Sequence, residues 1–191
     1  MRTANNIEAI LIGGSAGSYE TITRLLEQVR GADWTPPVIV VLHRMRNVDS
    51  NMIDLLRAKT GRISIVEADE KQAILHGVVY IAPANYHLLV EDDKTFSLDN
   101  SAPVHFSRPS IDVTFESAAH VYGAGLLGIL LSGSNEDGSY GMQCIEQQGG
   151  LVVVEDPEAA KFKTMPLSAI RLLDKPRILS VPEIGDLLIK I

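Results

Sequence analysis

Three polar residues stand at the ends of apolar runs, and their types are those of nucleophilic catalysis. Ser15 follows "AILIGG", His43 closes "PPVIVVLH", and Asp137 lies in "LLSGSNEDGSYG", directly after the most apolar run of the chain. A serine hydroxyl attacks a carbonyl carbon when an imidazole takes its proton, and a carboxylate orients and charges that imidazole. The segment "GGSAG", residues 13–17, also has the G-x-S-x-G form, in which glycines let a strand turn sharply into a helix and lift the serine into a cleft. The amide of Ala16, at the start of that helix, is then the expected oxyanion donor.

Other uses stay open at this level. Gly13, Gly14 and Ser15 can equally form a phosphate-binding turn or a tight connection. A dinucleotide site fits less well. "GGSAGS" is not G-x-G-x-x-G, and the second strand ends in His43 rather than an acid for the ribose. No cofactor is expected. His43 can also be a core-edge or capping histidine, and Asp137 an N-cap for the next helix. Glu136, Asp156 and Asp112 are rival acids. His76, His87, His105 and His120 read as structural or solvated, and the histidines and acids lack the close spacing of metal ligands.

The elements that must position these residues alternate. Strands are expected over 9–13, 36–43, 62–68, 125–133 and 151–156. Helices are expected over 18–29, 51–60, 108–123 and 139–150, and two more close the chain, in "MPLSAIRLLD" and "PEIGDLLIKI". Ser110 is the expected N-cap of the helix in 108–123 and Gly123 its stop. "GVVYIAP", "YHLLVEDD" and "KTFSLDN" read as antiparallel pieces beside the main sheet. The alternation predicts an α/β fold, a doubly wound mostly parallel sheet with a short antiparallel β feature. In such sheets ligands bind beyond the C-terminal strand ends, where Ser15, His43 and Asp137 fall.

Composition narrows the class. The chain has 191 residues, 46% hydrophobic and 21% charged, with net charge −7. That suits one globular domain over 1–191 and gives no basic face for nucleic acid. The single cysteine, Cys144, forms no internal disulfide and reads as a small buried side chain. No run reaches membrane-spanning length, and no signal sequence is evident, so a cytoplasmic location is expected.

The chain also resembles a known family, the catalytic domain of the chemotaxis methylesterase CheB. The resemblance rests on "LIGGSAGS", "VVLHRM", "GVVYIAPANYHLLV", "RPSIDVTFESAA", "LLSGSNEDGSYGM" and "VVVEDPEAAKFKTMPLSAI", in that order. It implies Ser15 as nucleophile, His43 as base and Asp137 as acid. The implied reaction is hydrolysis of glutamate γ-methyl esters on the cytoplasmic domain of a methylated chemoreceptor, with water as co-substrate. Deamidation of receptor glutamines is implied as well.

The sequence departs from the family pattern in four places. Ala16 and Ser18 stand where the family has threonine and glycine. Ser134 and Asn135 replace Met-Gly before the acid, leaving Ser134 as an expected site-lining residue. Glu136 adds a carboxylate, and no receiver domain is expected. The altered acid loop motivates a second reading, a binding module with weakened catalysis.

Overall fold

The computed structural model describes residues 7–28, 36–43, 52–61 and 64–191. Nine strands and six helices follow in order within them: β1 (Ala9–Gly14), α1 (Tyr19–Gln28), β2 (Val38–Leu42), α2 (Met52–Thr60), β3 (Ser64–Glu67), β4 (Val78–Ile81), β5 (His87–Val90), β6 (Phe96–Asp99), α3 (Ile111–Tyr122), β7 (Leu126–Leu130), α4 (Ser139–Gln147), β8 (Leu151–Glu155), α5 (Thr164–Leu172), β9 (Arg177–Leu179) and α6 (Val181–Ile189). The expected positions Val29, Asn51, Arg62 and Ile63 lie outside the described residues.

Seven strands form one sheet in the order β3-β4-β2-β1-β7-β8-β9, every pair parallel. β1 is its centre, with β2 on one side and β7 on the other. Period-two alternation assigns its side chains to two cores. Ala9 and Leu11 pack with Phe115, Ala118, Met142, Ile145, Met165 and Ala169, from α3, α4 and α5. Ile10 and Ile12 pack with Ile22, Leu25, Leu26, Met52, Leu56, Ile184 and Leu188, from α1, α2 and α6. Both faces are therefore covered, which is why the central strands read as unbroken apolar runs.

One expectation needs correcting. "GVVYIAP" is not an antiparallel piece: its Val78–Ile81 is β4, inserted in the parallel sheet between β3 and β2. Val79, Tyr80 and Ile81 are all buried, so the segment belongs to the two-sided sheet interior. Only β5 and β6 pair antiparallel, through His87↔Asp99 to Val90↔Phe96. That hairpin lies on the α3 face, where Phe96 meets Tyr80 edge-on with centroids 5.0 Å apart. β9 was not foreseen. It is three residues long at a sheet edge, with Arg177 and Ile178 exposed, and carries no readable period.

Winding reverses at β1: the chain builds outward through β2 and returns to β1's other flank as β7. The C-terminal ends of these strands thus frame the crevice of a doubly wound sheet.

Candidate active site

The turn after β1 is built by hydrogen bonds to its backbone. The Ser15 N–H donates to Ser132 O at 2.9 Å. The buried Ser18 hydroxyl donates to Ser15 O at 2.7 Å, closing the turn into α1. Gly14 makes room for it, because a Cβ there would lie 2.5 Å from Ser18 Oγ. Ser18, where the family pattern has glycine, is thus accommodated by its neighbour. Gly17 adopts φ +83°, which glycine takes without strain. Ser132 Oγ donates to Ala16 O at 2.8 Å, and the Ser132 N–H is held by the buried Glu155 carboxylate at 2.7 Å. Burial, only partly offset by that amide, raises the Glu155 pKa. The Ala16 N–H finds no acceptor among the described residues.

His43 leaves the end of β2 with its N–H on Gly14 O at 3.2 Å. Its Nδ1 lies 3.1 Å from Ser15 Oγ, and its Nε2 lies 2.6 Å from Asp137 Oδ2. With a carboxylate at Nε2, the proton of the neutral ring belongs on Nε2. Nδ1 then offers its lone pair to the serine hydroxyl. The side chain of Asp137 is fully buried and that of His43 is 10% exposed.

Asp137 is an N-cap, though not of the helix that follows it. Gly138, at φ 94°, starts α4. Asp137 instead caps α3: the Ile111 N–H donates to Oδ2 at 2.7 Å and the Asp112 N–H to Oδ1 at 3.0 Å. Ser110, at the N-cap position of α3, gives its hydroxyl to Asp137 Oδ1 at 2.8 Å rather than to its own helix. Burial alone raises the Asp137 pKa. The hydrogen bonds from His43, Asp112 and Ile111 outweigh it and hold the carboxyl below its ordinary value. The positive end of α3 favours the same anion. Buried His87 braces this corner, accepting the Ser110 N–H at Nδ1 (3.1 Å) and donating from Nε2 to Ala102 O (3.1 Å).

The rival acids go elsewhere. Glu136 is 3.5 Å from His105 Nδ1 and largely exposed. Asp156 accepts the Glu158 N–H at 2.9 Å in a local turn. Asp112 accepts the Gly141 N–H at 2.7 Å and lies 3.3 Å from His105 Nε2. Ser134 is exposed and is not among the cavity walls described below. Asn135 donates to His105 O at 3.3 Å. Cys144 is half-buried at the edge of the α3-side core.

One donor atom each from His105, Asp112 and Asp137 falls within 4.8 Å of the others. Asp137 already accepts four hydrogen bonds at a helix N-terminus, which makes this a poor seat for a cation.

Asp112 carries a testable cost. Burial first, and then repulsion from Asp137, raise its pKa from 3.8 to about 6, against the opposing Gly141 amide and His105. Between those values the folded state holds more protons than the unfolded chain, so stability falls as pH rises through that window. Asp112→Asn keeps an acceptor for Gly141 and removes the ionisation. Melting curves of this variant should be flatter between about pH 4 and 6. Near neutral pH it should gain on the order of 2 kcal/mol. A wild-type slope in that window would exclude Asp112 as its source.

A cavity of about 360 Å³ opens on the pair Ser15–His43, lined also by Ala16, Tyr19, Leu42, Met52 and Leu55. Its walls are mainly apolar, with the Ser15 hydroxyl and the His43 imidazole among them.

The sequence profile of the family described as CheB methylesterase matches residues 10–188. The chain belongs to the CheB methylesterase family. A relative from Leptospira interrogans is 43% identical over 186 residues, covering 97% of this chain and 95% of the relative. A protein from Archaeoglobus fulgidus named protein-glutamate methylesterase/protein-glutamine glutaminase is 30% identical, covering 95% of this chain and 52% of that longer protein. Among solved structures, the CheB methylesterase catalytic domain of Thermotoga maritima superposes with a TM-score of 0.87 at 28% identity. It covers 96% of this chain and 98% of that one. The CheB-like architecture expected from the sequence is therefore present.

The serine neighbours of this crevice were not all legible. Ser110 was recognisable as a helix cap. Ser107, whose Oγ lies 3.2 Å from His43 Nδ1, gave no signal, because it follows no apolar run and the helix expected after it already has its cap in Ser110.

Proposed function

We propose that the protein is a serine esterase that hydrolyses glutamate γ-methyl esters on the cytoplasmic domain of a chemoreceptor, releasing methanol. The observation that carries this reading is the continuous path from Ser15 Oγ through the His43 ring to Asp137, with spacings of 3.1 and 2.6 Å, at the mouth of a cavity. The names of relatives, protein-glutamate methylesterase/protein-glutamine glutaminase, supply the substrate class and the second, amide-hydrolysing activity.

Ser15 Oγ attacks the γ-carbonyl carbon while its proton moves to His43 Nδ1. The oxyanion meets the Ala16 N–H in the turn before α1, which has no other acceptor among the described residues. Collapse expels methanol, protonated from Nδ1, and leaves a glutamyl ester on Ser15. Water then repeats the sequence and frees the carboxylate. The aliphatic stem of the glutamate fits the apolar wall of Leu42, Met52 and Leu55. A glutamine side chain differs only in its leaving group, ammonia, so the same groups serve deamidation.

The substituted acid loop leaves Asp137 on the imidazole, which favours an enzyme over a binding module. Such a protein works where receptor cytoplasmic domains are, in the cytoplasm. Among the described residues no helix is long and apolar enough to cross a membrane.

The test pairs methanol release from a methylated receptor fragment with labelling by a fluorophosphonate. Release of methanol and a single adduct on Ser15 are expected. Neither release nor labelling would return the protein to the binding-module reading.

A further inference from the structure

We propose that Ser107 positions the hydrolytic water for the second half of the reaction. This deepens the reading of Ser15 as nucleophile and His43 as base, and rests on it. Two hydroxyls converge on one ring nitrogen: Ser15 Oγ at 3.1 Å and Ser107 Oγ at 3.2 Å from His43 Nδ1. Nε2 is committed to Asp137, so both compete for a single in-plane lone pair. A competitor that weakens the nucleophile's contact needs a use at another stage.

That stage is the acyl-enzyme. Once Ser15 Oγ is esterified it has no proton to give. Among the described residues Ser107 is then the remaining hydroxyl at Nδ1. The water that completes the reaction must give its proton to the same nitrogen, so it must lie within hydrogen-bond distance of it. The water donates one hydrogen to Nδ1 and the other to Ser107 Oγ, which directs its lone pair to the ester carbonyl.

As the water oxygen bonds to carbon, its proton passes to Nδ1 and the carbonyl π pair moves to oxygen. Collapse re-forms the carbonyl and breaks the C–Oγ bond of Ser15. The proton returns from Nδ1 to Ser15 Oγ. The products are the glutamate acid and the free serine, with no other reactant.

The placement of Ser107 is held from several sides. Val104 and Ser107 exchange both backbone hydrogen bonds, at 3.1 and 2.8 Å. Between them His105 and Phe106 take φ of 48° and 62°, the left-handed geometry of a two-residue hairpin turn, which side chains other than glycine rarely adopt. Asn135, two residues before Asp137, donates to the His105 carbonyl at 3.3 Å. Three residues beyond Ser107, Ser110, Ile111 and Asp112 begin their contacts with Asp137. One segment, 104–112, therefore frames both nitrogens of His43.

The experiment uses the full chain, a peptide carrying a glutamate γ-methyl ester, and hydroxylamine as a competing acyl acceptor. In Ser107→Ala, acyl-enzyme hydrolysis should slow by about 10- to 100-fold. The ratio of hydroxamate to acid should rise by a similar factor, and kcat should fall more than kcat/KM. Fluorophosphonate labelling of Ser15, which reports only acylation, should be no slower than in wild type. Ser107→Thr, which keeps the hydroxyl, should restore the wild-type ratio. An unchanged product ratio in Ser107→Ala, while Ser15 remains essential, overturns this inference alone. Methanol release that persists without Ser15 overturns the reading beneath it.

Discussion

Asp137→Ala should lower methyl-ester turnover by about 10³- to 10⁴-fold and destabilise the fold at the same time. The activity loss follows from the imidazole. Without a carboxylate at 2.6 Å from Nε2, nothing fixes the ring proton there, and the imidazolium formed during attack loses its counter-charge. The stability loss follows from α3. The Ile111 and Asp112 N–H groups and the Ser110 hydroxyl all end on Asp137, in a fully buried position. Each buried donor left without an acceptor costs about 1–3 kcal/mol, so losing the acceptor of all three costs at least about 3 kcal/mol.

Asp137→Asn separates the two effects. It keeps one oxygen, at the Oδ1 position, for the Asp112 N–H and the Ser110 hydroxyl. Its amide at the Oδ2 position gives up the Ile111 N–H and presents an N–H to Nε2, which drives the ring proton to Nδ1 and turns the lone pair away from Ser15. Its activity should fall nearly as far as that of the alanine variant while its denaturation midpoint stays closer to wild type. Because the Asp137 pKa is depressed in the folded state, its stabilisation is present above the ordinary carboxyl range and is lost as pH falls through the folded value. Wild type should therefore lose more stability than Asp137→Asn as pH falls below the ordinary carboxyl range. Wild-type turnover in either variant would remove Asp137 from the mechanism.

How far such effects could be foreseen depended on the kind of signal. β1 and β7 were legible because burial on both faces leaves no polar interruption, and Ser15, His43 and Asp137 each marked where such a run or its exit loop met solvent. Their convergence was not legible. It depends on β1 lying between β2 and β7, and strand order leaves no local trace.

β4 shows the same limit: Val78–Ile81 has the length and turns of a hairpin strand, and only its parallel partners Val38–Val40 and Ser64–Glu67 set it in the main sheet. The double role of Asp137 was half legible. A capping aspartate was recognisable in "SNEDG", but its helix is the one 25 residues upstream in the pair Asp112–Asp137. Local sequence names caps for the helix that follows, whereas this one is supplied across the crevice. Ser107 and Ser18 were silent because a hydroxyl bound to a distant or turn acceptor imposes no periodicity.

Ser15→Ala should abolish methanol release to within the residual catalysis of the empty site, a loss of about 10⁴- to 10⁶-fold, with no measurable change in stability. The two halves of that expectation have separate sources. The turn is held by the Ser15 backbone: its N–H on Ser132 O, and its carbonyl on the Ser18 hydroxyl at 2.7 Å and the Ser18 N–H at 3.1 Å. The side chain contributes one hydrogen bond, to His43 Nδ1 at 3.1 Å, at a partly exposed position. Alanine removes the hydroxyl and leaves the turn, so unfolding curves should superpose. What remains, His43 on Asp137 and the Ala16 amide, can still polarise a bound ester toward water. Ser18→Ala is the complementary control, since it removes the turn's hydroxyl and leaves the nucleophile. Turnover in Ser15→Ala within tenfold of wild type would exclude Ser15 as nucleophile and leave His43 as the group that activates water directly.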